Sequence, residues 1–175
     1  MGMRVFIAID IPDNVKEEIL RIQKKLPEFS GKLTEKENLH LTLKFLGEIS
    51  EQEVEKIKNK LKEIKLEKFD AGISEIGVFN KNFIKIIWIK LDNCEELQKE
   101  IDSKLENLFE KEERFMSHLT IARVKNVKDK KKFISEIEKI KINKINFLVS
   151  SFKLKKSDLA GKKPVYEDIL EVKLV

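Results

Sequence analysis

Cysteine, proline and glycine are scarce in this 175-residue chain, with one, three and six copies, and histidine occurs only twice. The lone Cys94 cannot close an intrachain disulfide or anchor a cysteine-based zinc site. With so few glycines there is no Gly-rich phosphate loop of the P-loop or dinucleotide type, and no Gly-x-Ser-x-Gly elbow for serine-type acyl transfer. Long apolar runs are missing as well. Stretches free of Asp, Glu, Lys and Arg reach only eight residues, as at 115–122 and 145–152, against the roughly 20 that span a bilayer. Residues 1–12 carry no secretory signal: the apolar run at 5–9 is cut by Asp10 and no small-residue cleavage site follows. That run reads as a buried strand, and the protein is expected to be cytoplasmic with no membrane association.

What the chain does have is charge interspersed with apolar positions. Charged residues make up 38% and apolar ones 41%, at periods that favour folding over disorder. The excess of 36 Lys+Arg over 31 Asp+Glu, a net +5, suits an anionic ligand without forming the dense basic arm of a nucleic-acid coat protein. Apolar alternation with β-branched residues predicts strands at about 3–11, 39–45, 70–79, 83–91, 117–122, 145–156 and 165–174. Helical spacing predicts four helices. One carries Val15, Ile19, Ile22 and Leu26 after Asp13, and a second carries Val54, Ile57, Leu61 and Ile64 behind a Ser50/Glu53 capping box. Leu97, Ile101, Leu105 and Leu108 follow Asp92 or Asn93, and Phe133, Ile137 and Ile140 follow Asp129.

In order this reads βαβαβ and then βαβαββ, an internal duplication of about 1–80 and 81–175 within one domain spanning 1–175. The expected fold is α+β and bilobal, with duplicated lobes of antiparallel-rich sheet facing a central cleft. Each half holds one histidine, and each histidine is followed by Leu-Thr: His40-Leu41-Thr42 and His118-Leu119-Thr120. Only three threonines exist, Thr34, Thr42 and Thr120, so chance explains this pairing poorly. On a strand, His40 and Thr42 share one face while Leu39, Leu41 and Leu43 take the other; His118 and Thr120 repeat the arrangement over Leu119 and Ile121.

Two ordinary half-buried histidines would be the plainer reading, but packing alone prefers no histidine at two equivalent sites of a chain that uses it nowhere else. Metal ligation would need three or four protein ligands, and neither motif brings a Cys, His, Asp or Glu at short fixed spacing. No metal or other cofactor is therefore expected. Metal-free phosphodiester chemistry needs one group to take a proton and another to give one, and imidazole, with a pKa of about 6.5, does both near neutrality. The adjacent hydroxyls would donate to non-bridging phosphate oxygens. A module that binds RNA ends or nucleotides without turning them over would use similar residues.

The segments Asn38-Leu39-His40-Leu41-Thr42-Leu43-Lys44-Phe45-Leu46-Gly47 and Ser117-His118-Leu119-Thr120-Ile121-Ala122-Arg123 resemble the signature of the 2′-5′ RNA ligase, or RNA 2′,3′-cyclic phosphodiesterase, family of two-histidine phosphoesterases. The opening Met3-Arg4-Val5-Phe6-Ile7-Ala8-Ile9-Asp10-Ile11-Pro12 and the closing Ser151-Phe152-Lys153-Leu154, Ser157, Leu159, Pro164 and Tyr166 resemble its ends. The resemblance implies a bilobal fold with pseudo-two-fold symmetry and a metal-free site acting on RNA ends or cyclic nucleotides. It also implies hydrolysis of 2′,3′-cyclic phosphates to 2′-phosphates and, in some members, reversible 2′-5′ joining of tRNA halves; a monomer is expected. By resemblance His40 is the general acid, His118 the general base, Thr42 and Thr120 grip the phosphate, and Arg123 adds a fixed positive charge. The spacing itself is symmetric in the two histidines.

Strand parity sets Arg123 with core-facing Leu119 and Ile121, so it reaches the cleft only if the strand ends or bulges near Ala122. Phe45 shares parity with Leu41 and Leu43 and reads as core, as does Trp88 between Ile87 and Ile89. Tyr166 is a candidate for the cleft rim. Ser117 departs from the proline common before the second histidine of the family. Lys162 and Lys163 of Gly161-Lys-Lys-Pro164 suit either phosphate contact or a solvated hairpin tip, and Lys125, Lys128, Lys130, Lys131 and Lys132 either an RNA backbone or solvent.

Overall fold

The run at 5–9 is buried at every position, a pattern that a strand with one solvated face cannot give. The computed structural model, which describes residues 2–175, explains it. Strand β1 (Met3–Asp10) lies inside a sheet, paired on one side with β3 (His40–Ile49) and on the other with β8 (Ser151–Asp158). β9 (Val165–Lys173) completes this sheet in the order β3-β1-β8-β9. The second sheet runs β2-β6-β5-β4-β7, from β2 (Ser30–Leu33), β6 (His118–Asn126), β5 (Ile86–Asp92), β4 (Phe69–Val78) and β7 (Asn146–Val149). Every pairing is antiparallel. The fold is thus α+β, with two antiparallel sheets, nine strands and four α-helices among the described residues.

The two sheets exchange strands. β4 follows the first histidine strand in sequence but pairs with β5, while β8 and β9 come from the second half and join β1. The predicted strand at 145–156 is therefore two strands, because the chain crosses from one sheet to the other at Ser150, whose carbonyl accepts from the Leu174 N–H at 2.9 Å. β2 lies outside the predicted strands: all four of its residues are exposed, so no alternation marks it.

The helices follow their predicted faces. α1 (Asp13–Gln23) buries Val15, Ile19 and Ile22, and α2 (Glu51–Lys62) begins at the Ser50/Glu53 capping box. α4 (Lys130–Glu138) is capped by Asp129, which accepts from the Lys132 N–H at 3.0 Å. α3 (Glu95–Leu105) starts one residue later than predicted, after Cys94, because Asn93 occupies the left-handed region at φ 68°. It also ends before Leu108, which is exposed rather than part of the buried face. No helix of the described residues is long and apolar enough to cross a membrane.

One buried ion pair ties the first half of the chain to the second. Lys44 on β3 donates to Asp102 Oδ1 on α3 at 2.6 Å and to the Glu110 carbonyl at 2.7 Å. Asp102 Oδ2 accepts from Gln98 at 2.8 Å and from the Glu112 N–H at 2.9 Å. Burial acts to raise the Asp102 carboxyl, but these donors outweigh it and hold its pKa below the usual carboxylate value. Because each charge is buried and satisfied only by the other's network, Asp102→Ala is expected to cost about 3–5 kcal/mol in chemical denaturation. The double variant Lys44→Met, Asp102→Leu should recover most of that loss, since no lone charge then remains buried.

Candidate active site

His40 and His118 are the first residues of β3 and β6, and both line one cleft of about 1260 Å³ together with Thr42, Thr120, Phe45, Arg123 and Tyr166. Their rings are set alike. His40 Nδ1 lies 2.7 Å from the Asn38 carbonyl and His118 Nδ1 lies 2.8 Å from the Met116 carbonyl, in each case two residues back. A carbonyl only accepts, so Nδ1 carries the proton in both rings and Nε2 of the neutral imidazole is left with its lone pair. The Thr42 hydroxyl stands 3.1 Å from His40 Nε2 and donates to it.

The strands are not regular beyond the threonines, and this decides what else reaches the cleft. On β3, Thr42 pairs with Ala8 but Lys44 pairs with Ile7, so Leu43 is an extra residue; Leu43 and Lys44 both point inward, and Phe45 returns to the histidine face. On β6, Thr120 pairs with Trp88 but Ala122 pairs with Ile87, so Ile121 is extra; Ile121 and Ala122 are both buried and Arg123 returns to the histidine face. Arg123 therefore reaches the cleft by the bulge that parity required. Phe45 corrects the parity reading: it is 48% exposed and lines the cleft rather than the core.

Each bulge is fastened by groups outside the strand pair that it interrupts. Lys44 enters the buried pair with Asp102. The Ile121 carbonyl accepts from the Thr34 N–H at 2.9 Å and from Gln23 Nε2 at 2.8 Å, and Gln23 also donates to the Thr34 carbonyl at 2.9 Å. Gln23, at the end of α1, lay outside sequence reasoning because its role depends on a bulge that no periodicity marks.

The two histidines differ in their surroundings. His40 sits with ring centroids 5.0 Å from both Phe6 and Tyr166, which places Tyr166 inside the cleft wall rather than at its rim. Burial pushes the His40 imidazole down to about 4; the Asn38 carbonyl and Asp10 oppose this, while Lys155 and Arg123 add to it. His118 meets Phe79 edge-on at 4.8 Å, and Phe79 is 53% exposed. Trp88 is buried beside Phe79, as its neighbours predicted.

Cations in the cleft fall into two groups. Lys36 pairs with Glu17 and Lys163 with Glu35, whereas Arg4, Lys32, Arg123 and Lys162 have no carboxylate partner among the described residues. The hairpin lysines Lys162 and Lys163 thus both line the cleft. The run after the second motif does not: Lys128 pairs with Glu28 and Lys130 donates to the Asn82 carbonyl, and none of its five lysines lines the cleft. Among the described residues, no three His, Cys, Asp or Glu side chains lie close enough to hold a metal ion. Cys94 is buried, and burial pushes its thiol up to about 12.

Comparison with known proteins places this arrangement. The model of LigT-like phosphoesterases matches residues 9–88 and again residues 90–166. An RNA 2′,3′-cyclic phosphodiesterase of Methanocaldococcus jannaschii is 45% identical over 97% of this chain and 99% of its own. That of Archaeoglobus fulgidus is 35% identical over 95% and 98%. Among solved structures, a Thermus thermophilus protein superposes with a TM-score of 0.78 at 26% identity, covering 98% of this chain and 97% of its own. Escherichia coli LigT complexed with 3′-AMP gives 0.79 at 22% identity over 100% and 99%, a likeness of fold.

Two outcomes follow from the geometry. Gln23→Leu leaves the Thr34 side of the bulge short of a donor in a buried setting and is expected to cost about 1–3 kcal/mol in denaturant unfolding. In an NMR titration of the free protein, His40 should stay neutral through pH 7 and take up its proton only near pH 4. Since the unfolded imidazole titrates near 6.5, the stability this group contributes is present above that pH and is lost as pH falls from about 6.5 to about 4.

Proposed function

This chain belongs to the LigT-like phosphoesterase family, and we propose that it hydrolyses RNA 2′,3′-cyclic phosphate ends to 2′-phosphates without a metal, using His40 and His118 as an acid and base pair. The observation that carries this reading is the pairing of two His-x-Thr strands on one cleft, with both Nδ1 atoms donating to carbonyls, which leaves Nε2 of each ring as the atom that can exchange a proton. The names of the curated relatives support the substrate class, and the 3′-AMP held by the E. coli structure supports a nucleotide in this cleft.

In this mechanism the cyclic phosphate sits between the two strands. Thr42 and Thr120 donate to its non-bridging oxygens, and Arg123 adds a fixed positive charge. His118 Nε2 takes a proton from water as the water oxygen bonds to phosphorus. The bond from phosphorus to the ribose 3′ oxygen breaks, and His40 Nε2–H gives that oxygen its proton, leaving a 2′-phosphate and a 3′-hydroxyl. His40 is neutral in the free protein near pH 7, so it acquires its proton as the anionic phosphate arrives; the phosphate's charge and acceptor oxygens offset the desolvation that Phe6 and Tyr166 impose.

The test is turnover of an oligoribonucleotide with a 2′,3′-cyclic end in excess chelator. His40→Ala and His118→Ala are each expected to slow it about 10²- to 10⁴-fold, with smaller losses for Thr42→Ala and Thr120→Ala. Unchanged turnover in both histidine variants, or activity restored only by a divalent metal, would overturn the mechanism. A 3′-phosphate product would overturn the assignment of the leaving oxygen. Supplying a second RNA with a 5′-hydroxyl separates the family's two directions: predominant joining would make ligation the main activity.

A further inference from the structure

The two half-sites agree at histidine and threonine but differ five residues after each histidine, where the bulges turn Phe45 and Arg123 into the cleft. One half supplies a cation there and the other an aromatic ring. That ring is covered: the Arg4 guanidinium carbon lies 4.7 Å from the Phe45 centroid. Arg4 is two residues before Phe6 on β1, which puts it on the same face, and it lines the cleft with Arg123. Burial raises the Tyr166 phenol, and the positive charges of Arg123 and Arg4 both act to lower it.

Arg4 is exposed and has no carboxylate partner among the described residues. A guanidinium held over an aromatic face by cation–π attraction keeps N–H groups available for an anion. The reacting phosphate already has Arg123, two hydroxyls and two imidazoles. A second anion is present only if the substrate is a chain, because the nucleotide bearing the cyclic end is then joined to its 5′ neighbour by a phosphodiester. We propose that Arg4, positioned by Phe45, binds the phosphodiester preceding the cyclic end, so that the enzyme favours RNA ends over cyclic mononucleotides. This rests on the proposed phosphodiesterase reading.

The experiment compares kcat/KM for uridine 2′,3′-cyclic phosphate, for a dinucleotide ending in that same group, and for the dinucleotide with a neutral methylphosphonate in place of its internal phosphodiester. In the native protein the dinucleotide is expected to lead the mononucleotide by roughly 10-fold, the scale of one charge-assisted hydrogen bond, and the methylphosphonate to lose most of that lead. Arg4→Ala should collapse the ratio towards one and remove its sensitivity to the methylphosphonate. Arg4→Lys should keep part of it, and added salt should shrink it in the native protein. A methylphosphonate as good as the phosphodiester would overturn the proposal in favour of base stacking on the Arg4 and Phe45 pair. Equal losses on mononucleotide and dinucleotide in Arg4→Ala, or an unchanged ratio, would overturn it as well. No hydrolysis of any of the three by the native protein would instead overturn the underlying activity.

Discussion

The extra residue just past the threonine of each histidine strand governs what this cleft contains. Without the bulges at Leu43 and Ile121, a two-residue period would send Phe45 and Arg123 into the core and leave these two strands offering the cleft only imidazoles and hydroxyls. An anion held by hydroxyls alone would be poorly matched to a phosphate that gains charge as it reacts. The bulges put a second kind of group on the histidine face, and their cost in lost ladder bonds is offset by outside partners. At Ile121 these are the Thr34 amide and the Gln23 side chain; beside Leu43 it is Lys44, drawn inward to Asp102. The buried polar groups of this protein are therefore concentrated where the strands depart from regularity.

The two His-Leu-Thr strands give the site its symmetry, and surroundings break it. The two rings share a tautomer because each donates to a carbonyl two residues back, a local arrangement that any copy of the strand entrance would reproduce. Their neighbours come from different elements. Tyr166 reaches His40 from the hairpin of the swapped strands β8 and β9, whereas His118 has exposed Phe79 at the end of β4. The exchange of strands between sheets thus gives two equal motifs unequal surroundings, and burial lowers the His40 imidazole.

Much of this was legible in the sequence, and what was not has a common cause. The paired His-Leu-Thr motifs, the α+β class and the helix faces all depend on local spacing, which the chain displays openly. Arg123 could be assigned to the cleft only on condition of a bulge, and Phe45 was assigned to the core, because a bulge is a matter of hydrogen-bond register between strands and leaves no mark in one strand's alternation. β2 escaped for the opposite reason: as an exposed edge it has no buried face to reveal it. Arg4 stood in plain view at the start of the chain, two residues before Phe6. Its place over Phe45 depends on the register of β3 against β1, which neither strand's own sequence displays.

In the proposed mechanism one phosphate is held between two imidazoles presented by matching, bulged strands. The most direct measurement is a crystal structure of the protein with a nucleoside 2′-monophosphate, the product of the proposed reaction. The account predicts His40 Nε2 and His118 Nε2 each within about 2.7–3.2 Å of different phosphate oxygens, with both threonine hydroxyls on the remaining ones. A phosphate bound to one histidine only, or bound elsewhere with both Nε2 atoms facing water, would contradict it.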